Sequence, residues 1–177
     1  MTEKQRYPLA QAEAVAKELV VLLAPACERE PVVAGSVRRR SPTAGDVELV
    51  AIPKPSADAF YLDELDRVVY GLLTDGRLTS RGAYGPKNKF LVHVASGIPV
   101  DIFTASVENF GRDLMIRTGP KDWNKKVMRR FLELGGHGHA YGPWAVSWDY
   151  GAWEAAPDEA TMFGFLRWPY VQPEART

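Results

Sequence analysis

Two stretches of this sequence carry residues that could do chemistry together. Gly35-Ser36-Val37-Arg38-Arg39-Arg40 and Gly45-Asp46-Val47-Glu48 fall within fourteen residues of one another. Residues i and i+2 of a strand project to one face, so Asp46 and Glu48 can aim at a single spot. Carboxylates that close repel each other unless a cation lies between them. Such hard oxygen ligands suit Mg²⁺ or Mn²⁺, which take one or two carboxylates and leave room for substrate phosphates. A third acid, Asp101, sits in Ile98-Pro99-Val100-Asp101-Ile102-Phe103, where apolar neighbours would hold it rigidly. Three carboxylates on neighbouring strands are what a pair of metal ions needs to bridge an attacking hydroxyl and a phosphoryl group.

Spacing alone is a weak signal. Glu28-Arg29-Glu30 and Glu64-Leu65-Asp66 repeat the acid-x-acid pattern. Taken alone, Asp46 and Glu48 fit an ordinary surface strand somewhat better than a metal site. The upstream Gly35-Ser36 turn shifts that balance. Backbone N–H groups and a hydroxyl there can meet phosphate oxygens, and Arg38 to Arg40 add positive charge.

The elements that must position these groups follow from periodicity. Pro8 followed by Ala12, Val15, Ala16, Leu19, Leu22 and Leu23 predicts a helix with proline near its first turn. Pro31 to Ala34 predicts a strand running into the Gly35-Ser36 turn. Loop chemistry at 41–45 precedes a central strand over 46–52, ended by Pro53 and Pro55. Leu62, Leu65, Val69 and Leu72 predict a second helix. Strands are expected over 77–81, 87–95 and 98–104, with Ser96-Gly97 as a tight turn. The segment 106–135 reads as helix in two pieces, broken at Thr118-Gly119-Pro120. Trp144, Trp148 and Trp153 among glycines suggest a small sheet, and a short helix follows near 158–166. The fold class is α/β of the α+β kind: a body over 1–105 with a mixed, mostly antiparallel sheet flanked by helices, and a small α+β lobe over 106–177.

The chain has 177 residues, room for one domain or two small lobes, with 46% apolar and 25% charged residues, which excludes a disordered chain. The longest apolar run, Leu19 to Ala24, is far too short to span a membrane. The polar start, Thr2-Glu3-Lys4-Gln5-Arg6, is not a signal peptide. Cys27 is the only cysteine, which excludes an intramolecular disulfide and a cysteine zinc cluster. A cytoplasmic monomer is expected, with a viral or phage protein acting in a host cell included in that class. Net charge is zero, yet placement is uneven. Arg112 to Arg130 holds seven basic residues against two acids, whereas Asp58 to Asp75 holds five acids against Arg67. That asymmetry fits a polyanion on one side as well as it fits solvated helix faces.

With these residues in view, the sequence resembles the family X DNA polymerases, the DNA polymerase beta group of nucleotidyltransferases. The pattern Gly-Ser-x-Arg-Arg-x(5)-Gly-Asp-x-[Asp/Glu] with a later strand aspartate is similar to that family's palm. Arg117-Thr118-Gly119-Pro120 with Asn124-Lys125 resembles its nucleotide-binding turn and helix. Asp158 through Met162-Phe163-Gly164-Phe165 and Trp168-Pro169-Tyr170 to Pro173-Glu174-Ala175-Arg176 resembles its C-terminal helix and tail. The resemblance covers nearly the whole chain, in the minimal two-lobe layout of the family's small viral repair members.

The resemblance implies that Asp46, Glu48 and Asp101 hold two Mg²⁺ ions, or Mn²⁺, and that Asp101 lies beside the primer 3′-hydroxyl. It implies that Gly35, Ser36, Arg39 and Gly45 hold the triphosphate of a dNTP. Thr118 and Gly119 would lie under the sugar, Asn124 at the incoming base, and Lys125 with Arg129 along DNA. The implied activity is DNA-directed DNA polymerisation on primer-template or gapped DNA, as in repair gap filling. A template-independent transferase acting on a single-stranded end or a small acceptor is the alternative. Three positions depart from the family's pattern: Glu48 stands where Asp is usual, Ile116-Arg117 replaces an aromatic pair, and Pro99 stands where Arg is common. Of the remaining residues, His137-Gly138-His139 reads as a glycine-rich loop, Cys27 as a small buried residue, and the tryptophans as packing.

Overall fold

Pro8 closes a two-residue strand, β1 (Tyr7–Pro8), and caps helix α1 (Leu9–Leu23). A proline suits that place, because the first N–H groups of a helix have no intrahelical acceptor. The computed structural model of the chain describes residues 5–137, 146–148 and 153–177. After a 3₁₀ turn at Ala24–Ala26 come β2 (Val32–Val33), a one-turn helix α2 (Gly35–Arg38), β3 (Thr43–Ala44) and β4 (Val47–Ala51). Helix α3 (Glu64–Thr74) follows, capped by Asp63, whose carboxylate accepts from Asp66 N–H at 2.6 Å. The antiparallel strands β5 (Leu78–Tyr84), β6 (Asn88–His93) and β7 (Ile98–Thr104) complete the first of two compact units, Met1–Thr104 and Ala105–Thr177. The division expected from sequence lies one residue later.

The first unit is built on a five-stranded sheet in the order β2-β4-β7-β6-β5. Every pairing is antiparallel except β4 with β7, whose parallel contact requires the intervening α3 and β5–β6 hairpin as a crossover. One face of this sheet carries Val47, Leu49, Val100, Ile102 and Leu91, all fully buried. They pack with Ala12, Leu19 and Leu23 of α1 and Leu65 and Val69 of α3 in a single core. Each such leucine contributes about 1.5–3 kcal/mol of burial.

Lys89 also points into this side and has no exposed surface. Its ammonium lies 3.2 Å from Asp66 Oδ1, which accepts the Tyr84 hydroxyl at 2.8 Å. Burial alone would raise the Asp66 carboxyl, but the Tyr84 hydroxyl, the Leu62 N–H and the Lys89 ammonium bring it below the usual range. Burial and the Asp66 hydrogen bond push the Tyr84 phenol upward. This cluster ties the β5–β6 hairpin to α3. Cys27 is buried, as the sequence suggests, and burial pushes its thiol up to about 11.

The second unit begins with α4 (Phe110–Thr118) and α5 (Lys121–Glu133), separated at Gly119-Pro120. A three-stranded antiparallel sheet follows, formed by β8 (Gly136–His137), β9 (Val146–Trp148) and β10 (Trp153–Glu154). His137 therefore lies in a strand rather than in the expected loop; Gly138, His139 and Trp144 fall outside the described residues. The last helix, α6 (Glu159–Phe165), is capped by Asp158, whose carboxylate accepts from both the N–H and the hydroxyl of Thr161 at 2.8 Å. Met115, Trp123, Val127, Phe131 and Phe163 form the core of this unit. The architecture is mixed α+β, the expected class, and no helix among the described residues is long and apolar enough to cross a membrane.

The chain end is locked by a buried ion pair. Arg176 Nη1 donates to Glu159 Oε1 at 2.6 Å, Nη2 reaches Oε2 at 3.2 Å, and the guanidinium lies over the Phe163 ring. Removing one member leaves a buried charge alone, so Arg176→Met should lower stability by about 3–5 kcal/mol. The double variant Glu159→Leu, Arg176→Met should recover most of that loss, because an apolar replacement removes both charges together. Urea unfolding of the three proteins measures both effects.

Candidate active site

Strand register brings two of the expected acids together. Glu48 on β4 lies directly opposite Asp101 on β7. Opposed residues project to the same face of a sheet, about 4.8 Å apart along the hydrogen-bonding direction. That face is opposite the core, because Val47 and Val100, their chain neighbours, point into it. Asp46 immediately precedes β4, two residues from Glu48, and is half-buried like the other two acids. Asp101 occupies the middle of its strand, where six ladder pairs with β6 hold the backbone.

The glycine–serine segment is helical rather than a simple turn. Val33 ends β2, Ala34 N–H donates to the Glu48 carbonyl at 2.8 Å, and the chain coils at once into α2. Gly35 has φ +61°, which L side chains rarely adopt. A Cβ placed there would meet Glu48 Oε2 at 1.9 Å. Glycine is therefore required twice, by the backbone and by the carboxylate lying against it. Within the same turn, Arg39 N–H donates to the Gly35 carbonyl at 3.2 Å, and Ser41 N–H to that of Ser36 at 3.0 Å. Ser36 and Arg39 are half-buried and Gly45 is buried, so the segment sits against the start of β4.

The carboxylates fit a divalent cation in chemistry and in strand placement. As the side chains stand, no three acid, imidazole or thiol groups among the described residues converge closely enough to hold one. Asp101 is instead engaged by a residue that the sequence did not single out. Arg81, from β5, donates through Nη2 to Asp101 Oδ1. The acid-x-acid pattern at Glu64-Leu65-Asp66 behaves as helix geometry requires. Glu64 turns outward to Ser56 and Arg67, whereas Asp66 turns inward to Tyr84 and Lys89.

The remaining expected residues lie in the second unit. Thr118 closes α4 and is fully buried. Gly119 is pressed by the next helix: a Cβ there would meet Trp123 Cδ1 at 2.3 Å and Asn124 Oδ1 at 2.5 Å. Asn124 Nδ2 donates to the Ile116 carbonyl at 2.7 Å, so its amide secures the α4–α5 turn. Its buried Oδ1 has no hydrogen-bond partner among the described residues. Trp123, Val127 and Phe131 face the core of α5 at helical spacing, which leaves Lys125 and Arg129 on the outer face. Lys125 pairs with Asp122 at 2.9 Å in an exposed contact that contributes little to stability.

Arg81 and Lys89 carry no one-dimensional signature beyond being basic residues in strand segments. The one available hint is Arg81-Gly82-Ala83, where alternation breaks down. No protein-family model matches the chain, and no curated protein matches it. What the site can do must be read from its own geometry.

Gly35→Ala tests the close approach to Glu48. The left-handed backbone alone should cost about 1–2 kcal/mol, and the added methyl should displace the Glu48 carboxylate. Urea unfolding should show the stability loss, and calorimetric titration with Mn²⁺ should show weaker binding than in the wild type.

Proposed function

We propose that this protein is a metal-dependent nucleotidyltransferase of the family X kind, a DNA-directed DNA polymerase that fills short gaps during repair. The observation that carries this reading is the register of Glu48 opposite Asp101, with Asp46 two residues upstream and the Gly35 helix turn packed against Glu48. Two carboxylates on adjacent parallel strands and a third just before one of them, flanked by a serine and arginines, suit a nucleoside triphosphate whose charge is shared with divalent cations.

In this reading Asp46, Glu48 and Asp101 hold Mg²⁺ or Mn²⁺. Bound there, the ions supply Lewis acidity to the attacking hydroxyl and to the phosphoryl oxygens. The rigid strands fix the direction of attack. The primer 3′-hydroxyl gives up its proton to solvent as its oxygen bonds to the α-phosphorus and the bond to pyrophosphate breaks. Gly35, Ser36, Arg39 and Gly45 seat the triphosphate, with Arg39 as its fixed counter-charge. In the second unit Thr118 and Gly119 support the sugar. Asn124, whose Nδ2 is held by the Ile116 carbonyl, is the residue that this reading sets at the base. Lys125 and Arg129 follow the phosphate backbone of DNA.

Primer extension with single dNTPs on gapped, recessed and single-stranded substrates tests the reading. Gap-dependent, template-matched addition supports it, and addition to single strands regardless of template would replace it with a terminal transferase. Asp46→Asn and Asp101→Asn should each lower the single-turnover rate at least about a thousandfold while the proteins stay folded. Wild-type turnover by a folded Asp101→Asn protein would sink the assignment.

The α5 face has its own test. Lys125→Ala and Arg129→Ala should weaken binding to all gapped DNA sequences alike. Each should also reduce the slope of log affinity against log salt by about one. Fluorescence anisotropy across a salt series measures both effects, and unchanged slopes would place the DNA surface elsewhere.

A further inference from the structure

The pairing of β5 with β6 is irregular at one place only. Ser80 opposes Leu91 and Tyr84 opposes Lys89, so three residues of β5, starting with Arg81, face the single residue Phe90. A bulge of this kind bends the strand and re-aims a side chain. Arg81 is the first residue of this bulge, and its side chain reaches across the sheet. The Arg81 Nε donates to the Leu91 carbonyl at 3.1 Å, and the guanidinium carbon lies 5.4 Å from the centre of the Phe90 ring. Phe90 is the residue directly opposite Asp101. Arg81 thus travels over one ring and ends on the Asp101 carboxylate two strands away.

The row Glu48, Asp101, Phe90 runs across three strands on one face. A guanidinium delivered along it competes for the charge that a divalent cation would need. Its three attachments differ in kind. The backbone carbonyl and the aromatic ring anchor the head without using Asp101, so the contact to Asp101 can be given up while the arginine stays nearby. Arg81 keeps about a third of its side-chain surface exposed, against 14% for Asp101. Movement of the arginine is the less hindered of the two.

Resting on the metal-site reading above, we infer that Arg81 is a positioning residue that occupies Asp101 until a divalent cation displaces it. Arg81 holds the acid on its strand face with its negative charge balanced. Metal entry breaks this pair and releases a guanidinium anchored beside the site, where it faces a phosphate of the bound nucleic acid. Metal affinity is therefore lower than the three acids alone would provide, and it rises when substrate phosphate accepts the displaced arginine.

Isothermal titration of the whole chain with Mn²⁺ tests this without reference to turnover. Arg81→Gln should bind Mn²⁺ about tenfold more tightly than wild type, about 1.4 kcal/mol by the usual conversion. Arg81→Lys, which keeps the charge but cannot make the paired donations, should fall between them. Adding gapped DNA should tighten Mn²⁺ binding in the wild type and much less in Arg81→Gln. Equal Mn²⁺ affinity in wild type, Arg81→Gln and Arg81→Lys would overturn the inference while leaving the metal site standing. Should Asp101→Asn bind Mn²⁺ as the wild type does, both the site and the inference fall together.

Discussion

Parallel pairing of β4 with β7 is the constraint on which the first unit depends. Parallel neighbours cannot be joined by a hairpin, so the chain must leave β4, cross over through α3 and return by way of β5 and β6. That path delivers α3 to the same sheet face as α1 and produces the buried core. It also sets the register in which Glu48 meets Asp101. A slip of one residue in either strand would turn that strand's acid into the core and its neighbouring valine to the other face, parting Glu48 from Asp101. The apolar residues that alternate with the acids therefore hold the acids in place.

Charge is handled differently on the two faces of this sheet. On the core side, Lys89 is buried and is tolerated because Asp66, Tyr84 and the Gly85 carbonyl surround it. Such a cluster is costly to leave half-satisfied, so it specifies where the hairpin docks on α3. On the opposite face, Arg81 and Asp101 keep partial contact with solvent. The first pair is structural because neither partner can leave without exposing a buried charge. The second can exchange partners because water remains at hand.

The second unit follows the same principle with other means. Its core is aromatic, with Trp123 beside Phe163 and Trp168, and its last residues are held by the buried Glu159–Arg176 pair. Gly119 and Asn124 make the α4–α5 turn together, one by having no side chain and the other by capping carbonyls. The proposed contacts to a nucleotide thus fall on residues that also build the turn. Variants at these positions test folding and binding at once, whereas Lys125 and Arg129 on the outer face test binding alone.

Periodicity by itself determined the α+β class, the approximate spans of α1, α3, α4 and α5, and the apolar cores of β4 and β7, because side-chain burial repeats at 3.6 or 2 residues whatever the partner. Asp46, Glu48 and Asp101 were legible as candidates because acids in an otherwise apolar strand stand out. Tertiary structure alone decided that Glu48 and Asp101 are opposite each other, since register between distant strands depends on the whole sheet. It also turned the expected Gly35-Ser36 turn into a helical one. The Ala34 N–H bond to Glu48 and the glycine's left-handed backbone start the coil there, and neither is visible from composition. Arg81 is the clearest case. Its sequence pattern ends a strand at 81, but the strand runs on through a bulge to Tyr84, and the arginine at the start of that bulge reaches over Phe90 to Asp101. A bulge is a mismatch between two strands, so one strand's residues cannot announce it.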